Sequence, residues 1–291
     1  MQYLLENDFL KTEISSHGAE LRSMIGKSDG YQYLWQGDPQ FWDNRAPVLF
    51  PIIGNLNEGQ YGYGEKRYTM ERHGFAAKKE FFLSKEEENS LTFCLEDDPS
   101  TLCQYPFQFR LLVTYTLQEK TLTTRFQVEN RDHQTLWFSI GGHPALNCSV
   151  SPDGRKNGRL VFEKLETINR LVNESGYMTG REAPFLEGGN VVDIPSLDFD
   201  GKTKVYILKG LRSESVTLED RGNLKALTVR FAGFPYLGIW SPVNQAPFVC
   251  IEPWHGITAT QGVSPDLRMK EGILSLAPGQ QFRCQYKIVI E

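Results

Sequence analysis

The chain has 291 residues, 40% hydrophobic and 23% charged, with a net charge of −5. That is the composition of an ordinary soluble globular protein. No basic stretch is dense enough for a nucleic-acid or anionic-membrane surface, and no run approaches the roughly 20 apolar residues that cross a bilayer.

The N-terminal "MQYLLENDFLKTEISSHGAEL" lacks the basic start and apolar stretch of a secretory signal. Five cysteines (Cys94, Cys103, Cys148, Cys250, Cys284), none in a C-x-x-C pair, fit buried thiols in a reducing compartment. The expected location is the cytoplasm. Residues 39–44 read as a short helix. The glycines of "GQYGYGEKRY" (59–68) resemble a nucleotide loop only superficially, because no strand–helix context follows; a hairpin turn is expected. In "MERHGFAAKKEF" (70–81), His73 lies between strands, where a lone histidine is more often a hydrogen-bonded loop residue than a catalyst.

Strand signals then dominate. "KEEEN" (85–89) is a solvated hairpin tip before "NSLTFCLED". "RLLVTYTL" and "TLTTRFQVEN" form a hairpin about the polar 118–120, with Leu122, Thr124, Phe126 and Val128 on one face. "SIGGHPALN" (139–147) ends an apolar run with two glycines, a histidine and a proline. Proline keeps His143 extended, and the glycines leave space beside its imidazole. "LKALTVRFA" puts Leu227, Val229 and Phe231 on one side, and "QFRCQYKIVI" alternates from Phe282 to Ile290. Residues 265–271 read as a second short helix.

"PFVCIEPWHG" (247–256) places Phe248, Cys250 and Glu252 on one strand face. A carboxylate on an interior face must be paired or held neutral; otherwise it is an ordinary strand-end ion pair. Trp240 and Trp254 can stack on a sugar or simply fill core. The five scattered histidines show no H-x-H, H-E-x-x-H or C-x-x-C spacing, so no metal is expected. With no repeat or linker, the reading is a single domain over 1–291, an all-β antiparallel sandwich with few short helices.

Taken in order, "GAEL" (18–21), "YLWQGDPQFWDNRAPVLFPIIGNL" (33–56), "HGFA" (73–76), "SIGGHPALN", "LGIWSP" (237–242) and "CIEPWHGI" (250–257) resemble the aldose 1-epimerase (galactose mutarotase) family, and most closely its LacX-like branch. The resemblance implies a large antiparallel supersandwich that interconverts the α and β anomers of free aldoses of the galactose or glucose class without a cofactor. It implies Glu252 as general base, His143 as general acid and His73 as a second active-site histidine. The sugar-contacting set it implies is Asn55, Arg72, Phe75, Trp240 and Trp254. Asn55 stands where many relatives carry an arginine, and Arg72, next to His73, is the candidate partial substitute.

Three other readings compete. A hexose-6-phosphate epimerase needs clustered cations, and Arg72, Lys78 and Lys79 are the only close group, read as exposed strand-edge charges. A non-catalytic sugar-binding protein does not require an acid–base pair. A glycoside hydrolase needs two flanking carboxylates, and only Glu252 has a supporting motif.

Overall fold

Alternation builds the sheet. In the strand Thr121–Asn130, Leu122, Thr124, Phe126 and Val128 are buried while Arg125 on the other face is exposed, the period-two pattern of a half-buried strand. It pairs with Phe109–Gln118 from Thr121 opposite Gln118 to Asn130 opposite Phe109. The computed structural model describes residues 1–150, 156–199, 205–242, 246–263 and 266–291.

Among these residues a 15-stranded sheet dominates, and its pairings are antiparallel. From one edge its order is Val48–Leu49, Ile140–Gly142, Phe248–His255, Tyr236–Trp240, Val205–Lys209, Gly158–Glu174, Ser215–Asp220 and Lys225–Arg230. Gln281–Ile290 comes next and joins these to Thr121–Asn130, Phe109–Gln118, Ser90–Glu96 and Phe82–Glu87. Leu111, Phe126 and Ile288 share one apolar cluster with Leu208, Ile239 and Ile251 from the other stretch. The protein is thus a large antiparallel β-sandwich, as the alternation implies.

A long hairpin, Gly158–Glu174 with Tyr177–Asp193, carries its turn back to the first edge of the sheet. There Gly176 O accepts from Asn55 Nδ2 at 3.1 Å and from Thr258 Oγ1 at 2.7 Å.

Two helical expectations need correction. Residues 39–44 make one turn, with Phe41 and Trp42 N–H groups both donating to Asp38 O; the loop then runs on toward Arg45 without a second turn. Of 265–271, residue 265 lies outside the described residues and only Leu267–Met269 forms a 3₁₀ turn. The short helix at Pro99–Leu102, capped by Asp98, was not foreseen. The 59–68 segment is the expected hairpin, Gln60–Tyr63 with Lys66–Thr69. Of the cysteines, Cys94, Cys148 and Cys250 are buried, but Cys103 is exposed. Among the described residues no helix is long and apolar enough to cross a membrane.

Candidate active site

The strand Phe248–His255 organises the site. On one side Gly141 pairs with Trp254 and Ala145 with Cys250. The register is the same at both ends, so His143 falls opposite Glu252. Pro144 and Pro253 lack the N–H groups a ladder needs, and pairing lapses between the two ends. The two side chains meet there, His143 Nε2 lying 3.1 Å from Glu252 Oε2. On the other side Gly238 pairs with Glu252 and Trp240 with Cys250, placing Trp240 on the same face as Glu252.

The paired glycines do make space, but not for the imidazole. A Cβ on Gly141 would come within 2.6 Å of Trp254, and one on Gly142 within 2.6 Å of Tyr286. They let the 139–147 segment pack flat on two large rings, which fixes His143 indirectly.

His73 arrives from a third segment with φ of 66°, an uncommon conformation that histidine tolerates better than most residues. Its backbone N–H donates to Gly54 O at 3.0 Å, and Gly54 N–H donates back to His73 Nδ1 at 3.1 Å. Gly54 itself has φ of 72°, and a Cβ there would sit 2.3 Å from Thr258 Cβ. Because Nδ1 accepts, a neutral His73 carries its proton on Nε2. Arg72 Nε–H also points at Nε2, at 3.0 Å; a neutral imidazole accepts from only one of the two donors, and the exposed Arg72 side chain can turn aside where the Gly54 backbone N–H cannot. The His73 and His143 rings stand perpendicular, 5.8 Å apart.

Burial sets the electrostatics. Glu252 is fully buried and His143 is 5% exposed. Desolvation raises the Glu252 carboxyl well above its ordinary value, opposed by the Arg72 charge. Desolvation and then Arg72 lower His143 to about 3. His73 is likewise pushed well below its ordinary value by burial, then by the charges of Arg72, His143 and Lys270. Burial thus favours the neutral form of each group, a protonated carboxyl beside an unprotonated imidazole; moving that proton across the 3.1 Å contact gives carboxylate plus imidazolium. Both Glu252 oxygens, His143 Nδ1 and Trp254 Nε1 are buried without a good hydrogen-bond partner. Such groups are rare in folded proteins and need explaining; here they converge on one place.

Trp240 meets His143 edge-on at 5.5 Å between ring centroids. Trp42, missed by the sequence reading, lies over His143 at 5.0 Å and against Trp240 at 5.4 Å. Its only signal was the aromatic-rich "DPQFWDN", which read as a helix. Two expected contacts need correction. Phe75 is 4% exposed and packs on Phe50, Tyr105 and Phe109, so it is core. Trp254 is buried with Leu49, Ile53, Met178 and Tyr236 and offers an N–H toward Glu252 rather than a stacking face. Asn55 is half-buried and donates one amide N–H to Gly176 O; an asparagine amide has a second N–H and an acceptor oxygen besides. Lys78 pairs with Glu71 and Lys79 with Asp98 and Ser100; they flank the 3₁₀ turn Ala76–Lys78, not a strand edge. His143, Cys250 and Glu252 offer ligand atoms within 4.8 Å of one another and are the one such trio among the described residues that could hold a metal ion.

The large antiparallel sandwich is that of the galactose mutarotase-like proteins. The chain belongs to the aldose 1-epimerase family, whose model matches residues 1–271. It is 36% identical over 296 residues to the plasmid-encoded protein LacX of Lactococcus lactis subsp. lactis, with 98% of each chain covered. A galactose mutarotase related enzyme from Lactobacillus acidophilus is 31% identical with a TM-score of 0.93, covering 100% of this chain and 97% of that one. A galactose mutarotase-like protein from Lactobacillus casei is 32% identical with a TM-score of 0.89, and both chains are fully covered.

Proposed function

We propose that this protein is a cofactor-independent aldose 1-epimerase acting on free aldohexoses in the cytoplasm. The observation that carries the reading is the buried Glu252–His143 contact of 3.1 Å. A hemiacetal needs that complement. Glu252, as carboxylate, takes the proton of the anomeric hydroxyl. The C1–O1 bond becomes a carbonyl, the C1–ring-oxygen bond breaks, and His143, as imidazolium, delivers its proton to the ring oxygen. C1 turns about the C1–C2 bond, and the ring closes on the other face with the two proton roles reversed. One proton leaves the pair and one returns, so no net exchange with solvent is needed. Each well-placed transfer is typically worth about 10²–10⁴ in rate.

His73 Nε2–H and Arg72 supply donors for a sugar oxygen, and Trp42 and Trp240 supply apolar faces for the ring. A free sugar fits better than a 6-phosphate, since the acidic partners of Lys78 and Lys79 leave Arg72 as the cation beside the histidines. The test is NMR magnetisation exchange between anomers across free and 6-phosphorylated aldoses. Faster exchange of a free hexose supports the proposal. Acceleration of phosphorylated sugars alone would replace the substrate class, and none at all would leave a binding protein.

A further inference from the structure

Lys270 is a buried cation that the proposed chemistry does not use. It is 8% exposed, and its ammonium donates to two carbonyls, Ile53 O at 3.1 Å and Ile257 O. Those carbonyls lie in the two segments that form the floor around His73. The segments are also tied together directly, through Asn55 N–H to Thr258 Oγ1 at 2.9 Å and Ala259 N–H to Asn55 O at 2.9 Å. A buried ammonium on two carbonyls is a costly arrangement unless both bonds are kept.

The peptide bond adds a second consequence. Ile53 C=O and Gly54 N–H belong to one peptide unit. Lys270 holds its oxygen while its N–H holds His73 Nδ1 at 3.1 Å. In a planar trans peptide these two groups point in opposite directions, so the ammonium and the imidazole sit on opposite ends of one dipole. A positive charge at the oxygen polarises the unit and strengthens the N–H as a donor, as linked hydrogen bonds do.

We propose that Lys270 is a positioning residue: through the Ile53–Gly54 peptide it locks His73 in the Nε2–H tautomer, with that proton presented to the substrate. The functional half of this statement rests on the epimerase reading; the tautomer half does not. The charged and titratable groups around Lys270 are few. Glu271, next in the chain, is bound by Lys209 and Tyr236. Asp266 and Arg268 of the same turn pair with each other. His73, with Arg72 beyond it, faces Lys270 across the peptide. Burial lowers Lys270 to about 7, opposed by Glu271, so the device loses its charge as pH rises through about 7.

The experiment is long-range ¹H–¹⁵N NMR of His73 in the whole, sugar-free protein, which reads the tautomer from the two ring nitrogens. Wild type is expected to show a single Nε2–H tautomer below pH 7. Its ring shifts should drift toward a tautomer mixture with the midpoint at which Lys270 Nζ titrates. Lys270→Met should show the mixture at every pH. Should that variant fold poorly, the wild-type titration decides alone. A His73 tautomer unchanged in Lys270→Met, or a Lys270 that titrates near an ordinary lysine value with no His73 response, overturns the proposal. In anomer exchange, Lys270→Met should lower kcat about tenfold with KM changed less than twofold. A tautomer response without a kcat response would retain the clamp and reject the epimerase role of His73.

Discussion

Glu252 is buried, and its carboxyl has a raised pKa because burial disfavours the charge. The folded chain therefore holds this proton over a window above 4.5 in which the unfolded chain releases it. Folding stability falls as pH climbs through that window. Glu252→Gln removes the titration while keeping size and shape. The variant should lose anomer exchange by at least about 10²-fold yet melt a few degrees higher than wild type. The difference in Tm should widen as pH rises above 4.5. An equal or lower Tm in differential scanning calorimetry at pH 7 would show that the carboxylate is paid for by contacts not described above. His143→Asn should cost a similar factor in exchange, since it keeps hydrogen bonding and loses the proton carrier. With His143 at about 3, its imidazole takes up no further proton in the weakly acidic range. The acid limb of the kcat profile should therefore fall only toward pH 3. An acid limb near the ordinary imidazole value of about 6.5 would contradict the burial argument. Residue identity was only partly legible beforehand. Glu252 and His143 stood out because a charge and a glycine–histidine–proline run break strand rules. Phe75, Trp42 and Lys270 carried no such mark: whether a ring or an amine faces core, cleft or carbonyl depends on distant segments.

At the scale of the element, the decisive fact is register. Pairing of Gly141 with Trp254 and Ala145 with Cys250 sets His143 against Glu252, and a slip of one residue would turn His143 to the other face. Alternation along 247–256 revealed which face Glu252 shares, but no pattern within one segment shows which residue lies across from it. Gly141 is the sensitive point of this pairing. Gly141→Ala would force a Cβ within 2.6 Å of the Trp254 ring and 2.8 Å of Pro253 O. The expected cost is about 1–3 kcal/mol, measured by urea unfolding, with exchange slowed because Trp254 and Glu252 ride on the displaced strand. The turn at 38–42 is the other informative element. It brings Trp42 over His143 from a loop, and Trp42→Ala should raise KM about tenfold with a smaller change in kcat, as expected for a group that binds ground state and transition state alike. A kcat loss matching that of His143→Asn would instead give the ring a part in proton transfer.

Across the whole molecule, strand alternation made the sandwich legible because each half-buried strand announces its period on its own. Strand order was not legible, since neighbours such as Ile140–Gly142 and Phe248–His255 are far apart in sequence. The site inherits that remoteness: Asn55 reaches Thr258 across 203 positions and Lys270 reaches Ile53 across 217. The placement of Gln281–Ile290 extends the same logic to assembly. Flanked by Lys225–Arg230 on one side and Thr121–Asn130 on the other, it is the keystone of the arch rather than a trailing edge. Until it is laid in, each flanking strand keeps a raw margin open to foreign chains. Non-local closure of this kind is slow, so the interval before it is when this chain is most exposed to misassembly, and a stop codon ahead of residue 281 should yield insoluble material even though Glu252 and His143 are both retained.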